Sequence, residues 1–359
     1  GDGLTSLSLA KNLINKKISV HMYYQNKVKN FSSSRTIGIS KNNLEFFRKE
    51  IHKFSKKIFW EIKKIEIYSE KLHKENLLKF ENDKDGLFYM VKNDELYGSL
   101  MNEISKNKYF QKKKIKNNFF FENLEREKKY DLIINCDSSN YLSNKYFTKK
   151  IKKNYKNFAY TTILKHKKII NNVATQVFTK NGPIAFLPIA NNETSVVCSL
   201  DIKNKRYKDS EVFDLISKNN PKYQIQKIIE LNIFKLSLSN LRNYYHRNIL
   251  AFGDLLHRIH PLAGQGFNMT IRDIKVLSEI IQKKIDLGMQ LDSTILSDFE
   301  KETKKKNFLF SNTIDLIYEV FNFDKKKKSK NFIKILKIVG KNKNLTNFFI
   351  KSADKGLNF

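Results

Sequence analysis

The chain has 359 residues and a mass of 42.4 kDa, room for one large domain or two ordinary ones, and 40% apolar residues exclude a disordered chain. Its 68 basic and 36 acidic residues leave a formal charge of +32, which invites a nucleic-acid reading. Only eight of the basic residues are arginine, the side chain whose planar fork reads bases and phosphates, so a lysine-coated surface is expected and a nucleic-acid partner is not.

In chain order, a glycine turn leads into a helix whose apolar face is Leu7, Leu9, Ala10, Leu13 and Ile14, followed by a short β-run over 18–24. Residues 41–57 read as a helix. Alternation returns at Ile62, Ile65 and Ile67, at Leu77, Leu78 and Phe80, and over Leu87–Val91, and a helix follows over 93–105. The lysine-rich stretch 106–130 is weakly patterned and reads as a poor hairpin or loop. Tyr130–Asn135 is a buried-type strand ending in Cys136-Asp137.

Between 158 and 237 the pattern is strand-rich, interrupted by a helix near 210–217 and a turn at Pro221. Asn248–Phe252 is a strand running into Gly253-Asp254, and a long helix covers roughly 266–284. The remainder, 293–359, is amphipathic and helical, with a break expected at the run Lys325–Lys328. Strand–helix–strand units at both ends around an antiparallel-looking block predict a discontinuous two-domain α/β protein.

Several function classes drop out. Two cysteines, Cys136 and Cys198, exclude a disulfide framework and a multi-cysteine metal site. No apolar run approaches the roughly 20 residues that span a bilayer. The chain opens on Gly1-Asp2-Gly3 with neither a secretory leader nor a methionine; a cytoplasmic setting is expected, with native residues preceding Gly1. His257 and His260 have i, i+3 spacing, but no third ligand lies nearby and a loop proline follows, so no metal site is expected.

Two segments carry chemistry. Gly1-Asp-Gly3-Leu-Thr-Ser6 opens a helix leading to a strand, where glycines let backbone N–H groups approach a pyrophosphate. The segment Gly253-Asp-Leu-Leu-His-Arg-Ile-His-Pro-Leu-Ala-Gly-Gln-Gly-Phe-Asn268 is more specific. It reads as a strand-tip carboxylate, a Pro/Gly loop and a helix N-terminus. Such a carboxylate accepts hydrogen bonds from ribityl or ribose hydroxyls, and the amides of Gly264–Asn268 stabilise negative charge on a ring edge.

This second segment resembles the second FAD motif of the aromatic-ring flavin hydroxylases, specifically the ubiquinone-biosynthesis (polyprenyl-phenol) hydroxylases. Other segments match in the right order. Arg35-Thr-Ile-Gly-Ile-Ser40 is similar to the family's R-x-I-A-L-S, Phe178–Pro188 to its F-T-x-x-G-P-x-A-x-L-P, and Phe348–Leu357 to its terminal helix.

The resemblance implies an α/β fold in which a Rossmann-like FAD-binding domain (1–57, 93–157 and 238–292) is interleaved with a β-sheet substrate domain (58–92 and 158–237), followed by C-terminal helices (293–359). Gly1, Gly3 and Ser6 would cradle the FAD pyrophosphate, and Arg35 would lie along the cofactor. Gly253 and Asp254 would meet the ribityl chain. Pro261, Gly264, Gln265, Gly266, Phe267 and Asn268 would face the isoalloxazine ring. It also implies hydroxylation of a polyprenylated phenol by O₂ through a flavin C4a-hydroperoxide, with NAD(P)H or a protein electron donor as reductant. The alternative is a non-catalytic relative serving as a structural member of a ubiquinone-biosynthesis complex.

Four departures stand against the family pattern. Tyr24 replaces the usual acidic ribose ligand, and Asp94 stands in place of an arginine near the cofactor. Ser138 follows Asp137 where a glycine is usual. Leu255-Leu256 replaces two alanines, adding bulk where the pocket is expected to be tight. The lysine runs 112–114 and 325–328 carry a further expectation, attachment at the periphery of an anionic inner-membrane leaflet.

Overall fold

The computed structural model describes residues 1–25, 35–70, 76–81, 85–115, 119–127, 129–201, 206–260 and 264–327, with 354 and 356. Its helices are α1 (Leu4–Asn15), α2 (Lys41–Phe46), α3 (Asn93–Ile104), α4 (Phe119–Arg126), α5 (Tyr141–Tyr146), α6 (Asp209–Lys218), α7 (Gln265–Asp286) and α8 (Thr294–Lys327). The first eight strands are β1 (Val20–Tyr24), β2 (Thr36–Ser40), β3 (Trp60–Ile62), β4 (Lys64–Ser69), β5 (Asn76–Glu81), β6 (Phe88–Lys92), β7 (Phe110–Lys114) and β8 (Ile133–Asn135). The rest are β9 (Lys150–His166), β10 (Val173–Thr179), β11 (Gly182–Ala190), β12 (Glu193–Asp201), β13 (Ile225–Ile228), β14 (Asn232–Leu241), β15 (Tyr245–His246), β16 (Ile249–Ala251) and β17 (His257–Arg258).

The α/β expectation holds. Parallel pairs β1–β7 and β8–β16 form two small separate sheets, the second extended by β15. The antiparallel trio β2–β6–β3 stands beside a larger, mostly antiparallel sheet of order β17-β14-β9-β12-β11-β10-β4-β5, with β13 also on β9. Two separate cores follow this division. One gathers Leu7, Leu9 and Ile14 of α1, Leu96 and Leu100 of α3, Leu250 of β16 and Ile274 and Leu277 of α7. The other gathers Tyr160, Phe186, Val196 and Cys198 of the large sheet under Val212 and Ile216 of α6. Burying such apolar clusters away from water is the main stabilisation of each half.

β9 and β14 pair along almost their whole length, from Asn232 opposite Thr161 to Leu241 opposite Lys150. The boundaries drawn at 157/158 and 237/238 therefore fall inside paired strands: the two halves share a continuous ribbon.

Three local expectations are corrected. Residues 106–130 are not a loop or hairpin, because they contain β7, parallel to β1, and α4. The strand was hidden because only Phe110 of β7 is buried and Gln111 and three lysines fill the rest, so no alternation marks it. The helix expected over 41–57 ends earlier, passing from α2 into a π-turn at Phe47–Ile51. The break expected at Lys325 is displaced, since α8 continues through Lys327; Lys328 and nearly all of the C-terminal motif lie outside the described residues.

The hairpin β10–β11 shows why Phe178–Pro188 has its sequence. Thr179 Oγ1 donates to the Gly182 carbonyl at 2.7 Å, and Asp201 N donates to Asn181 O at 2.9 Å, tying the turn to β12. Gly182 adopts φ +133°, and a Cβ there would lie 1.9 Å from the Ser199 carbonyl oxygen. Both the conformation and the space require glycine. Gly182→Ala is expected to cost roughly 2–4 kcal/mol of stability, read as a lowered urea midpoint with an unchanged m-value.

Candidate active site

The two glycine motifs meet. Gly253, at φ +63°, turns the chain out of β16 so closely against α1 that an added Cβ would lie 2.7 Å from Thr5 Cγ2. Gly1 lies against Asp137, its Cβ position 3.6 Å from that of the aspartate. Ser6 hydrogen-bonds Cys136, whose thiol burial pushes up in pKa. Asp254 is exposed at the tip beyond β16. Thus the Gly1–Ser6 segment and Gly253-Asp254, far apart in sequence, come together at the carboxyl ends of the parallel strands β8 and β16, the end at which open α/β sheets place ligands.

The helix starts are equally specific. The caps of α1 and α7 are Gly3 and Gly264, and neither helix has a side-chain cap or an acidic residue in its first turn. The dipole at both helix starts favours negative charge. Among the described residues, no atom other than the chain neighbours and, for Gly266, the helix's own backbone lies within 4 Å of a Cβ built on Gly3 or Gly266. These two positions leave open space at the helix starts, a cradle that side chains would fill.

Asn268 has a different role from the expected one. Its buried amide donates to Gly38 O (2.9 Å) and Gly264 O (3.2 Å), while its Oδ1 accepts from Ser40 N (2.9 Å) and Asn43 Nδ2 (2.9 Å). It ties β2 and α2 to the start of α7. The left-handed Gly264 cap faces the Gly38 backbone, where an added Cβ would lie 3.8 Å from the Gly38 nitrogen. Gln265 is buried and Phe267 half-buried against Phe47, with ring centroids 6.3 Å apart. Arg35 is exposed, its carbonyl accepting from Asn93 N at 3.0 Å. Pro261 lies outside the described residues.

The departures resolve unevenly. Leu255 and Leu256 point into the main core, 1% and 0% exposed, so packing takes up their bulk. Ser138 is exposed in a turn where Asp137 Oδ1 accepts from Ser139 N (2.8 Å) and Oγ (2.7 Å). Asp94 opens α3, exposed, where the dipole favours it. Several pairings carried no sequence signal. Asn135 and Asn140 hold the β8 tip through a reciprocal amide pair at 3.1 and 2.8 Å, and Asp354 accepts from Asn42 N at 2.8 Å. Spacing alone cannot show such pairings.

The two histidines separate completely. His257 bonds Asp273 at 2.5 Å with both side chains buried, and Asn307 of α8 donates to the same carboxylate at 2.9 Å. His260 is 1% exposed, stacked on Tyr318 (4.1 Å) and edge-on to Tyr155 (5.1 Å), with neither ring nitrogen hydrogen-bonded. No group of metal-ligating side chains occurs among the described residues.

Glycine-capped helix starts around a strand-tip carboxylate, beside a broad antiparallel sheet, define the fold of the FAD-dependent monooxygenases. The p-nitrophenol 4-monooxygenase PnpA of Pseudomonas putida DLL-E4 superposes with a TM-score of 0.75, covering 99% of this chain and 96% of that one at 12% identity. Klebsiella pneumoniae HpxO, solved with FAD and uric acid, gives 0.62 over 99% and 91% at 13% identity. The squalene epoxidase family model matches residues 129–336, and the chain belongs to that family. Among curated relatives, the mitochondrial ubiquinone biosynthesis monooxygenase COQ6 of Dictyostelium discoideum is 27% identical over 183 residues, 41% of this chain and 37% of that protein. The match thus spans about two fifths of the relative's length.

Burial lowers the His260 pKa from 6.5 to about 4. Its neutral form is favoured in the fold, so its contribution is complete above pH 6.5 and is lost as pH falls towards 4. A loss of about 3 kcal/mol is expected across that window. Urea titrations from pH 7.5 to 4 are expected to show a steeper fall for the unsubstituted chain than for His260→Phe.

Proposed function

We propose that this chain binds FAD and hydroxylates the aromatic ring of a polyprenylated phenol in ubiquinone biosynthesis. The observation that carries the reading is the open cradle at Gly3 and Gly266, before two helix starts that have neither side-chain caps nor acidic first turns. A dinucleotide flavin carries anionic charge at its diphosphate and, when reduced, at its ring edge, and these helix starts suit both. Membership of the squalene epoxidase family and the likeness to a ubiquinone biosynthesis monooxygenase support the same reading.

The residues take distinct tasks. Gly1, Gly3 and Ser6 hold the diphosphate at α1, and exposed Asp254 accepts from ribityl hydroxyls. The amides from Gln265 onward face the pyrimidine edge of the ring, while Asn268 fixes the loop from behind. FAD, reduced by NAD(P)H or a protein donor, supplies the activation of O₂. The protein orients the phenol and excludes water beneath the large sheet. Asp254 has no partnering base in the crevice, and the reading assigns the chain no acid–base pair.

No helix among the described residues is long and apolar enough to cross a membrane. Access to a lipid-tailed phenol is assigned to peripheral attachment of the lysine-rich surface at an anionic leaflet, alongside other ubiquinone-biosynthesis proteins.

Purified chain reconstituted with FAD is expected to show flavin absorbance bands and to convert a short-tailed polyprenyl phenol in the presence of reductant and O₂. A chain that holds no flavin would instead favour the non-catalytic relative. Gly266→Leu gives a sharper test. Its site is helical and unobstructed, so folding is expected to be unchanged or improved by up to about 1 kcal/mol, whereas FAD affinity is expected to fall at least about tenfold. Thermal melts of the apo-protein and flavin-fluorescence titration read the two effects separately.

A further inference from the structure

The carboxyl end of β1 is where a carboxylate is expected to hold the ribose hydroxyls, and Tyr24 occupies it. On the opposite face of the strand, Tyr130 engages both His21 and Tyr23, its hydroxyl 2.7 Å from His21 Nδ1 and 2.5 Å from the Tyr23 hydroxyl. On the Tyr24 face, the partner strand β7 brings up Lys112. Its ammonium lies 4.5 Å from the centre of the Tyr24 ring and 3.3 Å from Asp2 Oδ2. The Asp2 side chain is 10% exposed and that of Lys112 27%, so solvent screens this pair only in part.

Asp2 lies between the two glycines that lead into α1. Its carboxylate brings a negative charge to the helix start assigned to the diphosphate, and like charges there disfavour each other. The cation expected nearby is also missing, because position 94 is an exposed aspartate at the start of α3. Lys112 answers the first of these. Its ammonium pairs with the Asp2 carboxylate and cancels that negative charge beside α1.

Resting on the FAD reading above, we propose that Lys112 is a positioning residue for the adenylate half of the cofactor: by pairing with Asp2 it keeps that carboxylate off the diphosphate. Because the pair is partly solvated, affinity at this end of the site depends on ionic strength.

The test is flavin-fluorescence titration of the full chain with FAD, and calorimetric titration with ADP, in low and high salt. Lys112→Ala is expected to weaken both ligands about tenfold in low salt, with a smaller difference in high salt, while Lys112→Arg stays within about twofold. Asp2→Asn combined with Lys112→Ala is expected to recover most of the lost affinity, which a general loss of packing would not allow. Apo-protein melting temperatures report whether any variant has lost its fold. Unchanged FAD and ADP affinity in Lys112→Ala, with the unsubstituted chain binding both, overturns the proposal and leaves the FAD reading standing. Failure of a double variant with a normal melt to recover also overturns it. An unsubstituted chain that binds neither ligand brings down both.

Discussion

The side chain of Asn268 is the constraint on which the site depends. One amide reaches Gly38 and Gly264 as donor and Ser40 and Asn43 as acceptor, all from a position 2% exposed. Buried amides are stable only when their hydrogen-bonding capacity is met, and here meeting it fixes three elements at once. β2 is set against the start of α7, α2 is held behind it, and Gly264 must turn in the left-handed region to reach helical geometry.

A second tie acts from further out. His257 and Asn307 share the Asp273 carboxylate, so β17, α7 and α8 are joined in a site without solvent. α8 is also held to β9, where Asp315 accepts from Lys153 at 2.7 Å and from Tyr155 at 2.8 Å. The long helix therefore links α7 to the large sheet. His260, wedged between Tyr155 and Tyr318, is held towards its neutral form because burial outweighs the favourable charge of Asp315.

Much of this was legible in sequence where local spacing carries the geometry. A glycine pair before an apolar helix, and a strand-tip Gly-Asp followed by a Pro/Gly loop, are backbone devices, and the structure brings them together through Gly253 and Thr5. What depended on tertiary partners was not legible. Asn268 was expected to face the ring, yet its polar atoms are taken by β2 and α2. Leu255 and Leu256 were expected to crowd the pocket but fill the core. β7 escaped notice because an edge strand of lysines has no alternation, although it is the parallel neighbour of β1.

That hidden strand changes the meaning of the charge. Across the surface, 68 basic residues give a diffuse positive field with little to say about any ligand. At the crevice the signs are arranged one by one. Helix starts lack acidic first turns where an anion is to bind, α3 carries Asp94 and Glu95 where its own dipole favours them, and Lys112 stands between Asp2 and Tyr24. Read position by position, Tyr24 and Asp94 give no hint of a cation at this end of the chain. The neighbouring strand brings one, placing the Lys112 ammonium 3.3 Å from Asp2 and 4.5 Å from the centre of the Tyr24 ring, so the local charge follows from strand pairing that no motif position records.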